Sequence, residues 1–298
     1  MQARAQLAHA EALPPVPAHA ALPDARAVLA RSGGENFPVA LRLLPRDLRD
    51  HLWALYGFAR LTDDVGDEAP GDRTALLDEI DRELDRIFAG ETPRHPLLRR
   101  LARTVRASAL PEEPFRRLVE ANRRDQTIRR YASFDDLLGY CAFSADPVGR
   151  LVLHVFDAAT PERLPLSDAL CTALQLVEHW QDVSEDLAMD RVYLPGEDLR
   201  RFGCDEADLR ADTASPALRR LLAFECERAR ALLVRGEPLV ATLSGRTRLA
   251  IAGFAAGGYA ALDSIEAQDC DVLVRPPRTR RRDWLWRWIQ ILWRKRAR

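Results

Sequence analysis

Apolar residues recur every third or fourth position along most of this chain, over residues 46–64, 72–89, 95–107, 112–126, 134–142, 147–156, 166–187, 216–235 and 246–266. No run alternates in the manner of a strand. Such a chain can bury its apolar side only by packing helix on helix, so the expected fold class is all-α. Pro93, Pro111, Pro147, Pro161, Pro195 and Gly203 fall at the joins between these stretches. The length of 298 residues allows one or two domains, and 47% apolar with 30% charged residues suits a soluble globular protein with a substantial core.

Two acidic clusters interrupt the helical pattern: Asp63-Asp64-Val65-Gly66-Asp67 and Asp182-Val183-Ser184-Glu185-Asp186. Each contains aspartates four positions apart, which a helix stacks on one face. Such stacking costs ~0.2–0.5 kcal/mol per like-charged pair, which a cation would offset. The stripe Tyr56, Arg60, Asp63 (or Asp64) and Asp67 keeps one side of its helix, opposite Leu48, Leu52, Leu55 and Ala59. A second stripe, Glu178, Asp182 and Asp186, is embedded among Leu174, Leu176, Val177, Trp180, Val183 and Leu187. A solvated helix face would explain one cluster. Two, each amid apolar residues, point to a shared metal site. Hard carboxylate oxygens suit Mg²⁺, which takes one or two carboxylates per ion and completes its octahedron with water and phosphate, so the expected ligand is a diphosphate held through Mg²⁺.

Charge and cysteine usage bound the setting. Net charge is −1, yet residues 278–298 hold nine basic residues and one acid, a net of +8, leaving −9 elsewhere. Cys141, Cys171, Cys204, Cys226 and Cys270 are odd in number and show no CxxC, which fits reduced thiols and a reducing compartment. Residues 1–27, rich in Ala and Pro, lack the apolar core of a signal peptide and read as a disordered leader. No dinucleotide fingerprint, P-loop or nucleophile elbow is present. The small-residue run Gly253-Phe254-Ala255-Ala256-Gly257 reads as close helix packing.

The run from Tyr56 to Asp67, Leu174-Gln175-Leu176 before the second cluster, and Arg191-Val192-Tyr193-Leu194-Pro195 after it resemble the squalene and phytoene synthase family over about residues 32–275. Glu35-Asn36-Phe37-Pro38-Val39-Ala40, Ala145-Asp146-Pro147-Val148-Gly149-Arg150-Leu151, Trp180-Gln181-Asp182-Val183 and Cys270-Asp271-Val272-Leu273 resemble its branch that forms hydroxysqualene in bacterial hopanoid pathways. The resemblance implies a single isoprenoid-synthase domain, at 28–275, with helices around a deep apolar cavity and the two acidic helices meeting at its mouth. Asp63, Asp67, Asp182 and Asp186 would bind Mg²⁺, with Asp64 and Glu178 beside them. Glu178 stands where the family usually has asparagine, and its oxygens can still ligate. Arg60 would grip the diphosphate, while Tyr56 and Tyr193 would line the reactive end. Asp125 matches a family position near the site, although a surface carboxylate explains it nearly as well. Gln181 replaces the arginine of phytoene-forming members, so substrate binding would fall to Arg60, Asp125, Gln181 and Arg191. His179 reads as a packing residue. The implied reaction converts presqualene diphosphate and water to hydroxysqualene and diphosphate. Head-to-head condensation of two farnesyl or geranylgeranyl diphosphates is the alternative, and a non-catalytic lipid-binding relative a third reading. Neither a nicotinamide cofactor nor a nucleic-acid partner is expected.

The segment 276–298 stands apart. Between Trp284 and Trp293 only Arg287 and Gln290 are polar, so a helix there would carry a broad apolar face between basic clusters. Ten residues cover ~15 Å, too short to span a bilayer. The expected partner is the surface of an anionic membrane, placing the protein peripherally on the cytoplasmic face; packing on its own domain is the competing reading.

Overall fold

The computed structural model describes residues 22–25, 28 and 44–294, which form helices with no strand among them. In order these are α1 (Arg46–Asp67), α2 (Arg73–Phe88), α3 (Pro96–Ala107), α4 (Glu113–Arg124), α5 (Phe134–Ser144), α6 (Asp146–Val155), α7 (Leu164–Gln181), α8 (Val183–Ala188), α9 (Gly196–Phe202), α10 (Pro216–Gly236), α11 (Pro238–Thr242), α12 (Gly245–Glu266) and α13 (Arg281–Trp293). The signature 35–40 lies outside the described residues.

Local chemistry sets several of the starts. Asp72 accepts from the Ala75 amide at the head of α2, and Ser215 from Leu218 at the head of α10. Ser133 and Asp136 form a reciprocal capping box on α5. Helix α1 buries Leu52, Leu55, Phe58, Leu61 and Val65 at helical spacing, which leaves Arg60 and Asp67 on its other side. Helix α7 is apolar on more than one side, with Ala173, Leu176 and Trp180 inaccessible to solvent, and packs against α5, α6, α10 and α12. Helices α4 and α6 both pack against α1, and α6 also meets α7, so α6 links the two helices that carry the acidic clusters.

The structure adds detail to several readings of the sequence. The helix expected over 166–187 is two, because Asp182 leaves helical geometry at φ −105°, ψ 18° and serves as the last cap of α7 and the first of α8. Helices α9 and α11 are too short to show a period. Most of the expected leader 1–27 lies outside the described residues; of those described, Leu22 and Ala25 pack on the core and the Pro23 carbonyl lies 3.0 Å from Nε2 of His95. On α12 Ala255 and Ala256 are inaccessible to solvent, a Cβ at Gly257 would meet nothing within 4 Å, and one at Gly258 would come within 2.8 Å of Leu174 and 3.0 Å of Leu233, so the close packing extends past the expected run.

Helix α13 lies along α12. The indole N–H groups of Trp284 and Trp288 donate to the carbonyls of Gly253 and Leu249, both at 2.9 Å, and Arg287 binds both oxygens of Asp263 at 2.7 Å. Ile291 is buried and Arg294 pairs with Glu237. The broad face expected to be free for a membrane is therefore half covered by protein. Only its outer side remains open. No helix among the described residues is long and apolar enough to cross a membrane.

Candidate active site

Helices α1, α4, α5, α7 and α8 converge on a cavity of about 260 Å³ lined by six carboxylates, Asp63, Asp67, Asp125, Glu178, Asp182 and Asp186, and two arginines, Arg60 and Arg191. At that size, below the ~300–1,000 Å³ of a drug-sized pocket, the space suits a polar head and not a long chain. The lining of this space is polar.

Each side chain is held from a different element. Asn122 on α4 donates to Oδ1 of Asp63 at 3.0 Å. This approach depends on Gly66, because a Cβ at that position would fall 2.1 Å from Oδ1 of Asn122. Arg191 donates to Asp67 across the cavity at 2.5 Å and joins the two clusters. Although Asp182 interrupts the helix, the Asp186 amide still donates to the Asp182 carbonyl at 2.8 Å, and both carboxylates reach the cavity. Tyr140 donates to Oδ2 of Asp125 at 2.8 Å. Behind these lies an aromatic cluster: His179 stacks on Tyr193 with ring centroids 3.6 Å apart, and Tyr131 and Tyr140 each pack at 5.7 Å from Tyr193.

The electrostatics are those of a site short of positive charge. Desolvation, with Asp67 and Asp64 adding repulsion against the Asn122 hydrogen bond, pushes the Asp63 carboxyl up to about 6. Asp182 is raised to about 6 by burial and by Glu185 and Asp186. Asp125, buried against the Tyr140 hydroxyl, rises to about 7. Burial lowers His179, which keeps its ring neutral. Oδ2 of Asp186 is buried and accepts no hydrogen bond among the described residues. An all-oxygen donor set with an unsatisfied buried oxygen fits a hard divalent cation. Among the described residues no three acids form a ready chelate.

Three expected site residues fall elsewhere. Asp64 is engaged by Arg60 at 2.9 Å and does not line the cavity, since neighbouring positions on a helix point about 100° apart. Tyr56 packs edge-on to Trp53 at 5.4 Å and does not line the cavity either. Gln181 donates to the Pro277 carbonyl at 2.8 Å, outside the cavity, so it ties down the chain leading to α13. Conversely Asn122, Gln175, Tyr140 and His179 line the cavity without having been assigned to it. A signal for the first existed: Leu118, Ala121, Asn122 and Asp125 share one face of α4, with a polar pair where an apolar one would close it.

The squalene/phytoene synthase family profile matches residues 30–286. This chain belongs to the squalene/phytoene synthase family. Among curated members, the hydroxysqualene synthase of Zymomonas mobilis is 36% identical over 215 residues, 70% of this chain and 71% of that protein. The 15-cis-phytoene synthase of Synechococcus elongatus is 31% identical over 264 residues, 84% and 85% of the two. Squalene synthase HpnC from Alicyclobacillus acidocaldarius superposes with a TM-score of 0.76 at 46% identity, covering 82% of this chain and 92% of that one. A dehydrosqualene synthase superposes at 0.81 with 23% identity, which speaks for the fold alone. The chain thus has the helical isoprenoid-synthase fold and is an enzyme of the squalene/phytoene type.

Proposed function

We propose that this protein converts presqualene diphosphate and water to hydroxysqualene and diphosphate in a Mg²⁺-dependent step of squalene and hopanoid synthesis. The observation carrying this reading is the cavity in which six carboxylates and two arginines face one another in front of an aromatic cluster. Mg²⁺, held by Asp63 and Asp67 on one side and by Glu178, Asp182 and Asp186 on the other, would neutralise the leaving diphosphate.

The chain's own groups do the rest. Arg60 and Arg191 bind diphosphate oxygens, with Arg191 exchanging its hold on Asp67 for the substrate. Loss of diphosphate leaves a cyclopropylcarbinyl cation, and the faces of Tyr193 and Tyr140 stabilise positive charge without offering a strong nucleophile. The neutral His179, stacked on Tyr193, fixes that ring. After ring opening one water attacks, and a carboxylate lining the cavity takes its proton; Asp125, raised to about 7, is suited to this near neutrality. A long isoprenoid substrate and product place the protein at the cytoplasmic membrane face.

Incubation with presqualene diphosphate and Mg²⁺, without reduced cofactor, followed by product identification, tests the reading. Hydroxysqualene is expected. Failure to consume presqualene diphosphate, together with condensation of farnesyl or geranylgeranyl diphosphate, would establish the prenyl-transferase alternative, which the resemblance to phytoene synthases keeps in play.

A further inference from the structure

Helix α13 uses one side to bind α12 and leaves the other in water. Trp293 is 84% exposed, Trp286 61% and Leu285 46%, with Ile289 half-buried among them. Positions 286, 289 and 293 repeat at helical spacing on one face, and Leu285 widens it. The same helix anchors Trp284 and Trp288 by their indole N–H groups, so the outer tryptophans sit on a fixed support.

Charge identifies what covers this stripe. Arg275, Arg278, Arg280, Arg281 and Arg282 are all exposed on the approach to α13, and among the described residues none of Arg278, Arg280 and Arg281 pairs with an acid. Beyond the described residues the sequence adds Lys295, Arg296 and Arg298. Tryptophan at a boundary beside unpaired arginines matches the headgroup layer of an anionic bilayer, where each cation contributes ~1 kcal/mol. A second copy of this chain fits poorly, since a two-fold contact through the stripe would bring the same arginines together.

We propose that the stripe Leu285, Trp286, Ile289 and Trp293, with the arginines before it, docks the protein on an anionic lipid bilayer. This rests on the reading that the substrate is a membrane-borne isoprenoid. Trp286 to Trp293 rises only ~10 Å, so the helix lies along the surface. The chain leading into the docked helix is tied by the Gln181–Pro277 hydrogen bond, one residue before Asp182.

Flotation of the full-length protein with vesicles of phosphatidylcholine, alone or mixed with phosphatidylglycerol, tests the surface without substrate. The parent should bind the mixed vesicles. Trp286→Ser with Trp293→Ser, both at exposed positions, should lower the partition coefficient by roughly tenfold or more at unchanged helicity. Arg280→Gln, Arg281→Gln and Arg282→Gln together should lower it by roughly fivefold per arginine on mixed vesicles and little on phosphatidylcholine. Equal binding by parent and tryptophan variant overturns the proposal, as does a parent that binds neither vesicle; a dimer by light scattering that the variant cannot form would then assign the stripe to a second copy. Because no turnover is read, either result leaves the presqualene diphosphate assay to judge the reaction separately.

Discussion

Replacing Asp125 with Asn should change the stability of the metal-free protein in a pH-dependent way. Asp125 is 6% exposed, accepts a hydrogen bond from Tyr140 on one oxygen, and accepts none on the other among the described residues. Its carboxyl is raised from 3.8 to about 7, chiefly by desolvation. The unfolded chain therefore releases this proton near pH 4 while the folded protein keeps it until near pH 7. Between those values the folded state binds more protons, so stability falls as pH rises; the full penalty above pH 7 is ~4 kcal/mol. Asparagine cannot ionise and still accepts from Tyr140, but its new N–H group lacks an acceptor, at a cost of ~1–2 kcal/mol. The variant should exceed the parent by about 2–3 kcal/mol at pH 8.5 and match it near pH 5. Urea unfolding in the presence of a chelator, at both pH values, measures the difference. An equal gain at both, or a loss at pH 8.5, would refute the argument that Asp125 is a desolvated charge.

Asp63→Asn and Asp182→Asn should each abolish Mg²⁺-dependent turnover at unchanged helicity; turnover at the parental rate in either would remove that residue from the metal set. Glu178→Asn should keep or raise activity while weakening Mg²⁺ binding modestly, and complete inactivity would show that this carboxylate has a role of its own, such as accepting the proton of the attacking water. Gly66→Ala should lower stability by ~1–3 kcal/mol and impair turnover, because the added methyl displaces Asn122 from Asp63. Adding Asn122→Ala should recover stability without recovering activity, as urea unfolding and a Mg²⁺ titration would report.

The helical fold was legible because its signal is local: the spacing within α1, α7, α10 and α12 needs no knowledge of partners. The same locality singled out Asp63 with Asp67, and Glu178 with Asp182 and Asp186, one turn apart within each stripe. It failed where a residue's partner is remote. Gln181 meets Pro277 across 96 positions, and Asn122 meets Asp63 across 59, so no window along the chain contains either pair. The break at Asp182 was invisible for a related reason: the apolar period runs through it, and backbone geometry alone marks the boundary. On α13 a helical wheel distinguished apolar from polar positions, but could not tell which apolar side would find α12.

The Arg191–Asp67 contact spans 124 positions of the sequence, and Val192 reaches back to the Arg129 carbonyl at 2.9 Å from the same segment. Closing so large a loop has an entropic cost that helix formation within a single segment does not. During refolding, helical hairpins such as α1–α2 should therefore form first, and the segment carrying Arg191 should be among the last to settle. A chain returning from urea would recover its far-ultraviolet circular dichroism before its turnover, with a competent site lagging behind a nearly complete helical scaffold.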